Sequence, residues 1–129
     1  MYGIHSVLSI LVFLLGLATF FYALRGILKK HPYRKRMWDL AAYFTVSLYV
    51  QIVLGFLLVF STTNRSFDRA LGLHMVLSIA AAVLGHMSYA TNRRRPREQR
   101  EYTIHLWGAG GAILLVIVGI LVIRSPLLA

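Results

Sequence analysis

Five histidines carry most of the chemical capacity of this chain: His5, His31, His74, His86 and His105. The usual catalytic partners are scarce around them. Cysteine is absent, which excludes disulfides, thiolate metal sites, thioether-linked cofactors and cysteine nucleophiles. The acidic residues are Asp39, Asp68, Glu98 and Glu101, all near the ends of apolar segments. There is no HExxH and no phosphate-binding glycine loop, so general acid/base catalysis is poorly supplied. Imidazole ligation of a metal is the chemistry these residue types allow.

Two of the histidines sit in near-copies of one stretch, "GIHSVLSILVFLLG" at residues 3–16 and "GLHMVLSIAAAVLG" at residues 72–85. A constant shift of 69 residues carries Gly3, His5, Val7, Leu8, Ser9, Ile10 and Gly16 onto Gly72, His74, Val76, Leu77, Ser78, Ile79 and Gly85. The same shift pairs Arg25 with Arg94, Tyr33 with Tyr102 and Trp38 with Trp107, without a gap. Apolar sequence produces chance Leu and Val matches easily. Matched His, Gly, Ser, Tyr and Trp positions point to internal duplication.

The elements that must position these residues are membrane helices. The 129 residues fit one domain, and 58% of them are apolar with only 14% charged. Four segments, roughly Tyr2–Leu24, Trp38–Phe60, Ala70–Ala90 and Ile104–Ile123, reach the length of about 20 residues that hydrocarbon requires. The first has no basic leader and runs into a basic loop, the reverse of a signal peptide's charge layout. The expected fold is an all-α, four-transmembrane-helix up-down bundle filling a single membrane domain over residues 1–129, with repeat one at about 1–60 and repeat two at about 70–129.

A net charge of +10 suggests nucleic acid in a soluble protein. Here the charge lies in short loops, so it reads as topology and no nucleic-acid partner is expected. Residues 25–36 hold six Lys and Arg and residues 91–101 hold five, leaving Arg65, Arg69 and Arg124 for the other side. The positive-inside rule puts both basic loops in the cytoplasm and both termini outside, and the expected location is a prokaryotic inner membrane with periplasmic termini. "STTNRSFDR" reads as a short polar outer turn.

Two tandem two-helix repeats are related by a parallel pseudo-two-fold along the membrane normal. Helices one and three become diagonal partners, with His5 and His74 at matching depths near the outer surface. Two facing imidazoles suit the axial positions of a haem b iron, with each second ring nitrogen donating to a fixed acceptor. His86 lies twelve residues beyond His74, about 18 Å along the helix and about 120° around it, so it cannot share that iron. A second site between His86 and His105 at the inner side is geometrically open. Gly16, Gly85, Gly108 and Gly111 leave room either for a haem edge or for tight helix packing. His31 belongs to the basic surface that meets lipid. Gln51, midway along helix two, needs a partner: a neighbouring helix, a haem substituent or a quinone carbonyl.

At the duplicated "G[IL]H.VLSI" stretch the chain resembles small haem-binding membrane cytochromes. "HMVLSIAAAVLGH" is similar to the paired-histidine helices of cytochrome b561-type proteins, and the tandem repeat to the duplicated bundle of haem A synthase. The resemblance implies haem ligation by His5 and His74, then by His86 and His105. The synthase's catalytic glutamate has no counterpart within these apolar segments. The expectation is therefore a b-type cytochrome, or cytochrome-like subunit, that carries electrons rather than a stand-alone catalyst. Its partners would be the lipid bilayer, a larger respiratory or photosynthetic complex, and a quinone. The alternative is a cofactor-free structural or assembly subunit of such a complex, and a small transporter is a third class.

Overall fold

The computed structural model describes residues 2–61 and 67–124. They form α1 (Tyr2–Leu28), α2 (Lys35–Ser61), α3 (Arg69–Arg94), a short 3-10 turn (Arg97–Gln99) and α4 (Tyr102–Arg124). All four α-helices are long and apolar enough to cross a membrane. The two 27-residue helices are about 40 Å long at 1.5 Å per residue, longer than the ~30 Å hydrocarbon core. The basic-side ends of α1, α2 and α3 run three or four residues further than hydropathy predicts, because Arg25, Lys35, Arg36, Arg93 and Arg94 continue the helix while their charges reach the interface.

α1 packs against α2 and α4, and α3 packs against the same two helices, most extensively against α4. α2 and α4 touch at a few points across one diagonal, and α1 and α3 occupy the other. This is the expected up-down bundle. α1, α3 and α4 show almost no amphipathic stripe. Lipid tails and helix interior are both apolar, so burial is marked by small side chains rather than by hydrophobicity.

The middle of the bundle is a continuous cluster of Val12, Phe44, Leu48, Ala81, Ala82, Ala109, Ala112 and Ile113. A second cluster at the basic end joins Ala23, Met37 and Tyr102. The buried positions Val12, Gly16, Thr19 and Ala23 of α1 recur on α3 as Ala81, Gly85, Ser88 and Asn92, each shifted by 69 residues. On α2 and α4 the shift differs. Buried Ala41, Phe44, Thr45 and Leu48 match His105, Gly108, Ala109 and Ala112 at 64 residues. Trp38 and Trp107, paired by the longer shift, therefore have unlike surroundings: Trp38 packs on Tyr89 with ring centroids 4.2 Å apart, while Trp107 is 74% exposed.

Helix ends have local causes. α1 stops where Lys30 takes a left-handed conformation, φ 53°. The amides of His31 and Lys30 then donate to the carbonyls of Gly26 and Ile27 at 3.0 and 3.2 Å, the Schellman pattern, with Pro32 following. α3 starts at Asp68, whose carboxylate accepts from the Leu71 amide at 2.8 Å. Most of the predicted outer turn, together with the chain beyond Arg124, lies outside the described residues.

Candidate functional site

His5 and His74 lie at the same end of the bundle, each turned toward the following helix. Gly55 of α2 makes room for the His5 ring: a β-carbon there would sit 3.3 Å from His5 Cε1. Gly119 of α4 does the same for His74, at 3.5 Å from Nδ1. These two glycines also stand 64 residues apart.

A hydrogen bond assigns the ring proton of His74. His74 Nδ1 is 2.9 Å from the Gly119 carbonyl, which can only accept, so Nδ1 carries the proton and Nε2 keeps its lone pair. The Gln51 amide donates to the His5 carbonyl at 3.1 Å and to the Ser9 hydroxyl, and approaches His5 Nε2 at 3.4 Å. Both amide protons are used on the first two, so the approach to Nε2 assigns no ring proton; His5 Nδ1 and Gln51 Oε1 are buried without a partner. As arranged, His74 presents a lone pair at Nε2. Gln51 thus spends its amide on α1, the first of its predicted partner types.

The glycines expected to flank a cofactor are filled by neighbouring side chains. A β-carbon on Gly16 would meet Ile113 at 2.7 Å and Phe44 at 2.9 Å, and one on Gly85 would meet Leu48 at 3.0 Å. Gly108 receives Ser88, and Gly111 faces Leu84 at 3.0 Å. All four serve close helix packing here. Ligation of one iron by both outer histidines would need the His5 Nε2 that the Gln51 amide approaches.

His86 and His105 are not brought together. His86 is exposed on the outside of α3, and its Nδ1 pairs with the hydroxyl of Tyr49 from α2. Tyr49 follows the midpoint of α2 by one residue, and His86 lies about 7 Å from the midpoint of α3. A polar pair therefore faces outward within the spans of α2 and α3. His105 is only 1% exposed. Its Nε2 is 2.7 Å from the Tyr33 hydroxyl, the rings stack with centroids 5.7 Å apart, and Nδ1 has no partner.

The basic end is a polar assembly that composition only hinted at. Tyr102 donates to the Pro32 carbonyl at 2.8 Å, so the first turn of α4 holds the α1–α2 connection through both Tyr102 and His105. Asn92, fully buried, donates to the Glu101 carbonyl at 3.0 Å and accepts the Glu101 amide at 3.2 Å. Burial, the largest influence, pushes the Tyr33 phenol well above its usual value. Arg100 opposes that rise while Tyr102 and Tyr89 add to it. His31 is half-buried in the same connection.

Among the described residues no three His, Asp or Glu side chains gather as a metal site. The residues that sequence reasoning passed over are Tyr33, Asn92, Gly55 and Gly119. The first was visible only as the repeat partner of Tyr102, and the others are ordinary residues within apolar or polar runs. Compared with protein-family models, curated proteins and solved structures, the chain matches none of them.

Proposed function

We propose that this chain is a structural or assembly subunit of a larger membrane complex, docking through the α2–α3 face that carries Tyr49 and His86. The outward polar pair within the spans is the observation that carries this reading. Ionisable side chains within membrane helices almost always face protein or water, and in the isolated bundle His86 is exposed. The occupant of that face is a transmembrane helix of another polypeptide with a hydrogen-bonding side chain at the same depth. The basic loops orient the subunit, on the cytoplasmic side by charge. Duplication of a two-helix unit accounts for the repeated burial on α1 and α3.

A photo-crosslinking residue at position 86, compared with one at the lipid-facing Ile10, tests this in native membranes. Capture of a second polypeptide from position 86 and only lipid from position 10 is expected. Lipid adducts alone from both positions, with the chain migrating singly after mild extraction, sink the proposal.

One observation favours a second reading, electron transfer through a haem b between His5 and His74. The Gly119 carbonyl holds the His74 tautomer that leaves Nε2 free, as an axial ligand requires. The haem would supply one-electron redox chemistry, and the protein would supply ligation and a dry setting. Reduced-minus-oxidised absorption of detergent-solubilised protein from haem-replete cells decides it. A haem band lost in both His5→Ala and His74→Ala supports the carrier, and a colourless folded protein removes it.

A further inference from the structure

At the basic end, Tyr33, Lys35, Trp38, Arg97 and Arg100 line a cavity of about 190 Å³. We infer that this cavity binds the phosphate group of an anionic phospholipid headgroup or a free phosphate. The inference is independent of the docking proposal, because it uses another part of the molecule.

Three cations and no carboxylate form the walls. In the same connection Glu101 pairs with Arg95 at 3.5 Å, and Glu98 is not among the lining residues. Arg100 is held in position. Its Nε donates to the Asn92 carbonyl at 3.1 Å, and its guanidinium lies 4.6 Å from the Trp38 ring centroid. That leaves its terminal NH2 groups unbonded to other described residues, so they retain the paired donor geometry that suits phosphate oxygens. Lys35 and Arg97 add two further positive charges from α2 and from the 3-10 turn.

Size and place narrow the ligand. A water occupies about 30 Å³ of liquid, so the cavity has the room of about six waters. That suits a phosphate with part of its ester and falls short of the ~300–1,000 Å³ of pockets for larger ligands. The cavity opens where α2 and the α3–α4 connection meet the polar boundary, with Trp38 and Tyr33 as the amphipathic side chains that favour that level. Basic pockets between membrane helices recognise anionic headgroups.

The chain has two tryptophans, so Trp107→Phe leaves Trp38 as the sole reporter inside the cavity. Titrating this full-length variant in neutral detergent with phosphatidylglycerol should shift Trp38 emission saturably, and phosphatidylcholine should not. A third arm with inorganic phosphate identifies the source: saturation there marks a free-phosphate site, and its absence marks a headgroup site. Lys35→Gln with Arg97→Gln should weaken binding by about ten-fold or more. Arg93→Gln with Arg94→Gln removes equal charge from outside the cavity and should leave affinity within about two-fold. Neither pair removes a side-chain bond of the bundle. Equal responses to both lipids, or equal losses in both double variants, overturn the site.

Discussion

The imidazole of His105, buried at the head of α4, is held 2.7 Å from the phenol of Tyr33, which belongs to the connection between α1 and α2. One short contact thus joins the two halves of the chain at their basic end. Tyr33→Phe leaves both nitrogens of a buried imidazole unpartnered. The expected cost is about 1–3 kcal/mol, measured as a lower unfolding temperature in detergent. No change would show that the bond contributes nothing to folding.

The burial of Tyr33 makes stability depend on alkaline pH. Tyr33 ionises near its usual 10 in the unfolded chain and well above that when folded, because burial disfavours phenolate. Its contribution is complete below pH 10 and is lost as pH rises through 10 toward the folded value. Ultraviolet tyrosinate titration should show one more late-ionising tyrosine in the wild type than in Tyr33→Phe, and the alkaline slope of stability should flatten in the variant.

Asn92 ties the last turn of α3 to the first residue before α4 by two bonds to Glu101. Asn92→Leu strands the Glu101 amide and carbonyl, while the backbone carbonyl that holds Arg100 is kept. A loss of about 2–3 kcal/mol is expected, with faster hydrogen exchange at Glu101. Asn92→Asp keeps an acceptor for the amide, so its loss should be smaller. Equal exchange rates in wild type and Asn92→Leu would count against this role.

Gly26 and Gly3 are a matched pair for glycine packing. A β-carbon on Gly26 would come 2.7 Å from the Tyr102 ring, whereas one on Gly3 meets nothing within 4 Å. Tyr102 cannot retreat, since its hydroxyl is bonded to Pro32 and its ring packs between Tyr22 and Tyr33. Gly26→Ala should cost about 1–3 kcal/mol. Gly3→Ala should be neutral within about 0.5 kcal/mol. Unfolding temperatures of the two variants give the comparison.

The outward pair on α2 and α3 predicts an unusual separation of stability from assembly. Tyr49→Phe with His86→Leu replaces polar groups facing hydrocarbon by apolar ones. The isolated chain should be as stable as wild type or more so, because a polar side chain in lipid carries a desolvation cost. Co-purification of a partner from native membranes should fall. A destabilised isolated chain would mean that the pair holds α2 to α3 and does not wait for an external helix.

Hydropathy and charge in the sequence were enough to determine four antiparallel spans and the two basic connections, because water excludes apolar runs of that length and tolerates Lys and Arg clusters. The copied stretch also determined that Gly16 and Gly85 would lie on like faces of α1 and α3, both buried. What each histidine touches was decided only by the tertiary structure. In a soluble helix a polar face and an apolar face mark the rotation. Here the surroundings on every side are apolar, so the rotation of α3 that puts His86 outside and the placement of α4 that puts His105 against Tyr33 leave no trace in the hydropathy pattern. They follow from which small residues let neighbouring side chains close in, a property of pairs of helices rather than of either one.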